Sequence, residues 1–287
     1  MRNNKEVLKH CFNWYESHSG AAALEGLDVF FSDLLSEIFG YYAIQMGALS
    51  GQEDLLKHSR ITADFSLVSD DALKFRAENA EKPFDKAEFT SSSIIGGLIN
   101  DKAKQDYSLI AANEQLPIST DNVDLVVASH ILESSKNPHQ VLREIDRILV
   151  PEGHCILIGF NPHSVSNLGR QMRHFREKRQ SPYKMRSVNR VKDWFSLLGF
   201  KVLDVNYLGY RPGVKNKKLF ESLRWMESWG EYTGPILGNM YVIHAKKRVI
   251  AMRPDKKVWQ APAVLSGGKV ALNRTARKIR QDNYSNL

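Results

Sequence analysis

LPISTDNVDLVVASHILESSKNPHQVLREIDRILVPEGHCILIGFN, residues Leu116 to Asn161, carries the decision about the fold. Val123 to Ala128 is a short valine-rich run led by Asp124, the composition of a parallel strand covered on both faces. From Pro138 onward Val141, Leu142, Ile145, Ile148 and Leu149 recur at spacings of three and four, which makes one apolar helical face. Pro151-Glu152-Gly153 is expected to stop that helix, and Cys155 to Gly159 begins the next apolar strand. Strand, crossover helix and strand form the βαβ unit of a doubly wound sheet, whose ligands bind at the carboxyl ends of the strands.

The stretch resembles the second half of a class I S-adenosylmethionine-dependent methyltransferase domain of the type 11-like kind. The residues that carry the resemblance are Leu116-Pro117, Asp124 to Val127, His130 to Glu133, Leu142 to Glu144 and Pro151 to Gly153. It implies a doubly wound, mostly parallel seven-stranded α/β sheet of Rossmann-like type with an N-terminal helical cap. It also implies S-adenosylmethionine as cofactor, and it extends over about 13–248.

Composition agrees. Hydrophobic residues at 43% and charged residues at 25% are ordinary for a globular chain able to bury a core without staples. Cys11 and Cys155 lie far apart with no metal-ligand spacing, so buried free thiols are expected. MRNNKEVLKHCFNW lacks the apolar run of a signal peptide and no 18-residue apolar span occurs, so the expectation is a cytoplasmic protein without a membrane partner. The net charge of +8 is uneven: from Lys246 onward there are 11 Lys/Arg against 2 Asp/Glu. The three expected parts are a cap over 1–40, a methyltransferase-like domain over 41–250 and a basic, irregular tail over 251–287. The tail either solvates the chain or contacts nucleic acid.

Upstream, Val7 to Ser17 and Gly26 to Phe39 read as helices, the second with an apolar stripe at Leu27, Phe30, Phe31, Leu34, Leu35 and Ile38. Trp14, Tyr15 and His18 either face the acceptor site or pack against the sheet edge. Tyr41 to Met46 is the expected first strand, followed by Gly47-Ala48-Leu49-Ser50-Gly51. A chain that turns sharply from strand to helix while approaching a ligand needs glycine there. In the family that resemblance implies, this strand ends in an acid before Gly-x-Gly-x-Gly. Here Gln45 stands for the acid, Gly47 and Gly51 match the outer glycines and Leu49 replaces the middle one. Gly47→Val is expected to abolish cofactor binding in a chain that stays folded.

Phe65 to Ser69 reads as the second strand. Asp70 or Asp71 follows Gly51 at the spacing of an acid that accepts both ribose hydroxyls, although Asp70 can equally cap the helix near Ala72. After a third strand at Tyr107 to Ala111, the family's adenine-contacting Asp aligns with Ala112, leaving Asn113 and Glu114 to substitute. Ser129 and His130 follow the fourth strand. His130 is the candidate catalytic base, or else packs beneath the cofactor and hydrogen-bonds to backbone. Gln45, Gly47, Ala48, Gly51, Asp70, Asp71, Asn113, Glu114 and Ser129 are thus the candidate cofactor contacts.

Residues 164–192 form an insertion rich in Arg and Lys with Glu177 its one acid, expected as an acceptor lid, an anion-binding rim or a solvated helix. Ser187 then caps a helix with Val191, Trp194, Phe195 and Leu198 inward and Gly199 at its end. Phe200 to Leu208 and Asn239 to Ala245 close the sheet. Two functions stay open: a methyltransferase acting on an unidentified acceptor, or a methyltransferase-fold binding or regulatory module without catalysis.

Overall fold

The computed structural model describes residues 4–50, 53–69, 71–72, 74, 107–164, 166–169, 172, 184–214, 216–227, 230 and 238–248. Gly51, Asp70, the loop after Lys74, Arg170, Arg173, Arg176, Arg179 and the basic tail lie outside them. Among the described residues no helix is long and apolar enough to cross a membrane.

Helices α1 (Asn4–Tyr15) and α2 (His18–Ser36) precede strand β1 (Tyr42–Gly47). Strands β2 (Ala63–Val68), β3 (Tyr107–Ile110) and β4 (Val123–Ser129) follow, then the short helix α3 (Ile131–Ser134) and helix α4 (Pro138–Ile148). The chain continues through β5 (Leu149–Phe160), α5 (Val188–Leu197), β6 (Phe200–Leu208), α6 (Lys217–Ser222) and β7 (Met240–Lys247). The sheet has the order β3-β2-β1-β4-β5-β7-β6. Pairings from β3 to β5 are parallel, and β7 runs antiparallel to both neighbours. The doubly wound seven-stranded sheet is therefore present, with only its last strand reversed.

One face packs against α1 and α2 through Leu27, Phe31, Leu35, Val127, Ile158 and their neighbours. The other packs against α4 and α5 through Val141, Ile145, Val191, Phe195 and Ile243. Both faces are covered, which is why β4 and β5 are nearly continuous apolar runs. Leu116-Pro117 is held in place by the Leu-Arg-Glu helix. The Leu116 N–H donates to Glu144 at 3.1 Å, and Arg147 donates to Leu116 O at 3.0 Å and Ile118 O at 2.8 Å. Asp124 anchors the entry to β1 by accepting from the Tyr41 and Tyr42 N–H groups at 2.7 and 3.0 Å.

Three boundaries differ from expectation. Helix α2 begins at His18, eight residues before Gly26, because the Ser17 hydroxyl caps it by accepting from Gly20 N–H at 3.2 Å. Gly20 also needs its missing side chain, since a Cβ there would lie 2.1 Å from Trp14 O where the two helices meet. Strand β5 begins at Leu149 and runs through Pro151-Glu152-Gly153. That segment is a register shift opposite Val123 to Leu125, with Glu152 at φ 64. Near Ala72 the helix N-cap is Ser69, whose Oγ accepts from Ala72 N–H at 3.3 Å.

Candidate functional site

Strand order reverses between β1 and β4, since the chain leaves β1 toward β2 on one side and reaches β4 on the other. At such a switch point the loops part and leave a crevice at the carboxyl ends. The residues in register there are Gly47 and Ser129. Gly47 has φ +103, and a Cβ on it would lie 1.9 Å from Ser129 O. The expectation that Gly47→Val leaves the chain folded is therefore corrected: the glycine is required by the neighbouring backbone, before any ligand is considered.

Ser129 holds the loop that follows. Its carbonyl accepts from Ala48 N–H at 2.8 Å and its hydroxyl accepts from Leu49 N–H at 3.0 Å. The same hydroxyl donates to Met46 O at 3.1 Å. Ala48, Leu49 and Ser50 are all buried, and Leu49 packs in the core beneath α1 and α2. Its side chain thus turns inward, where a middle glycine would have left space.

Gln45 is 1% exposed, and its amide is spent on the chain itself. Nε2 donates to Leu49 O at 3.3 Å and to Glu53 O at 2.5 Å, while Oε1 accepts from Leu55 N–H at 2.9 Å. A carboxylate has no donor and cannot make this set. Gln45 is thus a staple between Leu49, Glu53 and Leu55.

The other predicted residues divide. Glu114 accepts from the Ser135 hydroxyl at 2.9 Å. Asn113, in the turn after β3, has a buried Oδ1 with no hydrogen-bond partner among the described residues. Asp71 is half-buried in the helical segment that follows β2. The structure brings Gln45, Gly47, Ala48, Ser129 and His130 together at the switch point and leaves Asn113, Glu114 and Asp71 toward the β2–β3 side.

His130 occupies the left-handed region at φ 50, at the N-cap of α3, and is 0% exposed. Its ring stacks on Phe160 with centroids 4.1 Å apart. Nε2 meets the Tyr15 hydroxyl at 2.6 Å, so the partner of this side chain is a phenol from α1 and not backbone. Burial, with the Cys11 thiol and the Glu133 carboxylate adding to it, pushes the Tyr15 phenol well up and keeps it protonated. With Tyr15 as donor, the ring proton of His130 sits on Nδ1, 3.9 Å from Glu133 Oε1 and too far for a hydrogen bond. Glu133 Oε1 instead accepts from Phe160 N–H at 2.8 Å. Burial followed by the Glu133 charge also pushes the Cys11 thiol and the Tyr241 phenol well up. Trp14 meets Phe160 edge-on at 5.1 Å, and His18 lies 5.7 Å from Phe220.

Tyr241 escaped the sequence reading. The signal was its register with Gly159: a Cβ on Gly159 would come 2.5 Å from the Tyr241 hydroxyl, so the small residue makes room for the large one.

Residues 52–157 match the family profile described as a methyltransferase domain. The uncharacterised Escherichia coli protein YafS is 32% identical over 170 residues, 57% of this chain and 64% of its own length, which is less than two thirds. Two solved structures share the fold. The Haloferax volcanii protein determined in complex with the Trm112 methyltransferase activator aligns with a TM-score of 0.52 at 15% identity, over 86% of this chain and 96% of its own. A Thermotoga maritima S-adenosylmethionine-dependent methyltransferase aligns with a TM-score of 0.51 at 15% identity, over 85% and 97%. The chain thus carries a match to a methyltransferase domain over 52–157 and shares the fold of these solved methyltransferase structures.

Proposed function

We propose that this protein transfers a methyl group from S-adenosylmethionine to an acceptor brought to the carboxyl edge of the sheet. The observation that carries the reading is the Gly47 turn packed on Ser129 where the strand order reverses. The adenosine half of the cofactor fits the residues present. Asn113 Oδ1 is a buried acceptor with no partner among the described residues, and an adenine amino group would supply a donor. Asp71 or its neighbour Asp70 is the candidate for the ribose hydroxyls by its spacing from the glycine turn. Gln45 is withdrawn from the cofactor contacts, because its amide is saturated by the loop.

When bound, the cofactor supplies an electrophilic methyl on a sulfonium centre. What the chain contributes is positioning: in-line displacement gains most from holding two reactants in one geometry. His130 and Tyr15 form a fixed, dry wall at the end of β4, with the histidine oriented by the phenol. A base is needed only for acceptors that shed a proton, and His130, whose Nε2 meets the Tyr15 hydroxyl, is the candidate for that role.

A second reading, a binding module without catalysis, is favoured by Leu49 in the core and by the stapled Gln45. Calorimetry of the full chain with S-adenosylmethionine and with its demethylated product separates the outcomes. Saturable binding of both supports a cofactor site. Heat from neither at millimolar concentration rejects the enzyme reading. Binding without methyl transfer to any acceptor fraction supports the module.

A further inference from the structure

His130 and Glu133 stand three residues apart at α3, and both side chains are withdrawn from water, at 0% and 1% exposure. Each keeps one buried polar atom with no hydrogen-bond partner among the described residues: Nδ1 of the imidazole and Oε2 of the carboxylate. Nδ1 lies 3.9 Å from Glu133 Oε1, which the Phe160 N–H fixes by donating to it at 2.8 Å. Buried polar atoms left this way are uncommon in a folded chain and call for a role.

The Tyr15 hydroxyl holds the other ring nitrogen. A phenol both donates and accepts, so the 2.6 Å bond to Nε2 by itself leaves its direction open. We infer that Glu133 is the positioning residue that sets the ring proton of His130 on Nδ1 and so makes Tyr15 the donor of their shared bond. A carboxylate has no proton to give. A bare Nδ1 lone pair beside it would set two electron-rich atoms against each other, with no water to screen them. With the proton on Nδ1 the same geometry is attractive. Three further titratable groups share this corner, Cys11 and Tyr15 from α1 and Tyr241 from β7, and burial, the largest influence on each, keeps all three protonated. The Arg186 charge is felt at Tyr241.

The consequence for catalysis rests on His130 as the base proposed above. Nε2 is left with its lone pair on the side of α1. When it takes a proton from an acceptor, Nδ1 keeps its own, and the charge of the imidazolium is offset by the carboxylate 3.9 Å away.

The test is nitrogen NMR of isotope-labelled histidine side chains in the full chain near neutral pH. His130 is assigned among the nine histidines by the signals lost in His130→Gln. The parent is expected to show a protonated Nδ1 and a bare, hydrogen-bonded Nε2. Glu133→Gln keeps an acceptor oxygen for the Phe160 N–H but loses the charge, and is expected to lower the ratio of the Nδ1–H to the Nε2–H tautomer by about tenfold or more. Glu133→Asp, which keeps the charge, should hold the parent's tautomer. A proton on Nε2 in the parent overturns the inference, as does an unchanged ratio in folded Glu133→Gln. Should Glu133→Gln not fold, Tyr15→Phe decides. Persistence of Nδ1–H without the phenol supports Glu133, and its loss assigns the tautomer to Tyr15 and overturns the inference. The measurement needs neither cofactor nor acceptor. It can therefore fail while the methyl-transfer reading stands, and calorimetry can reject that reading with the tautomer intact.

Discussion

Tyr15 and His130 are 115 positions apart and joined by a 2.6 Å hydrogen bond between fully packed side chains. The bond ties the first helix of the chain to the end of the central strand β4. Tyr15→Phe deletes the phenol and leaves Nε2 of a buried imidazole without a partner, which costs about 1–3 kcal/mol of stability. Urea denaturation of the variant measures this, and a midpoint equal to that of the parent contradicts the bond's role.

Gln45→Glu restores the acid that resemblance implies at the end of β1, yet it is expected to damage this protein. A carboxylate would face the Leu49 and Glu53 carbonyls with no proton to give them. The expected loss is about 1–3 kcal/mol, with weaker binding of the demethylated cofactor because Leu49, Glu53 and Leu55 lose their common anchor. A variant as stable as the parent and tighter for cofactor would show instead that Gln45 sits in the ligand's place.

Asn113→Ala separates a ligand contact from a structural one. Oδ1 has no hydrogen-bond partner among the described residues, so its removal should leave stability unchanged or slightly raised. Affinity for the demethylated cofactor should fall by about tenfold, worth about 1.4 kcal/mol. Calorimetry and thermal melting on the same sample give both numbers, and unchanged affinity takes the adenine role away from Asn113.

His154 and His244 meet across β5 and β7, Nδ1 to Nε2, at 2.8 Å. Burial first, then the charge of its partner, pulls the His244 imidazole down to about 4. Burial, then Lys246, lowers His154 as well. A folded-state pKa below the unfolded one means that the unfolded chain takes up protons first. Stability is therefore complete above the ordinary imidazole value of about 6.5 and falls as pH drops from there toward 4. Thermal melts between pH 7 and pH 4.5 are expected to show a decline that His244→Asn flattens. An equal slope in the variant assigns the acid sensitivity elsewhere.

What was legible in the sequence were the elements with a clean period. Val123 to Ala128 has the continuous apolar run of a strand covered on both faces, and the Val141 to Ile148 stripe has the spacing of a helix packed on the sheet. The start of α2 was hidden because His18-Ser19-Gly20 has no apolar spacing; its order comes from the Ser17 cap and the crossing with Trp14. The break at Pro151 looked like the end of an element because a register shift inside a strand has the same local chemistry as a turn. At the site, the sequence indicated which residues gather at the strand ends. It could not show where the Gln45 amide points, because the Leu49, Glu53 and Leu55 groups that saturate it arrive only when the loop folds back.

One hydroxyl, that of Ser129, fastens the loop after β1 to the seam between the two central strands. A molecule that pries Leu49 off this hydroxyl cannot do so silently, because the seam and the loop share the fastening. Occupancy at the crevice would be written into amide exchange at the middle of the sheet, among protons that otherwise open only when the whole chain unfolds.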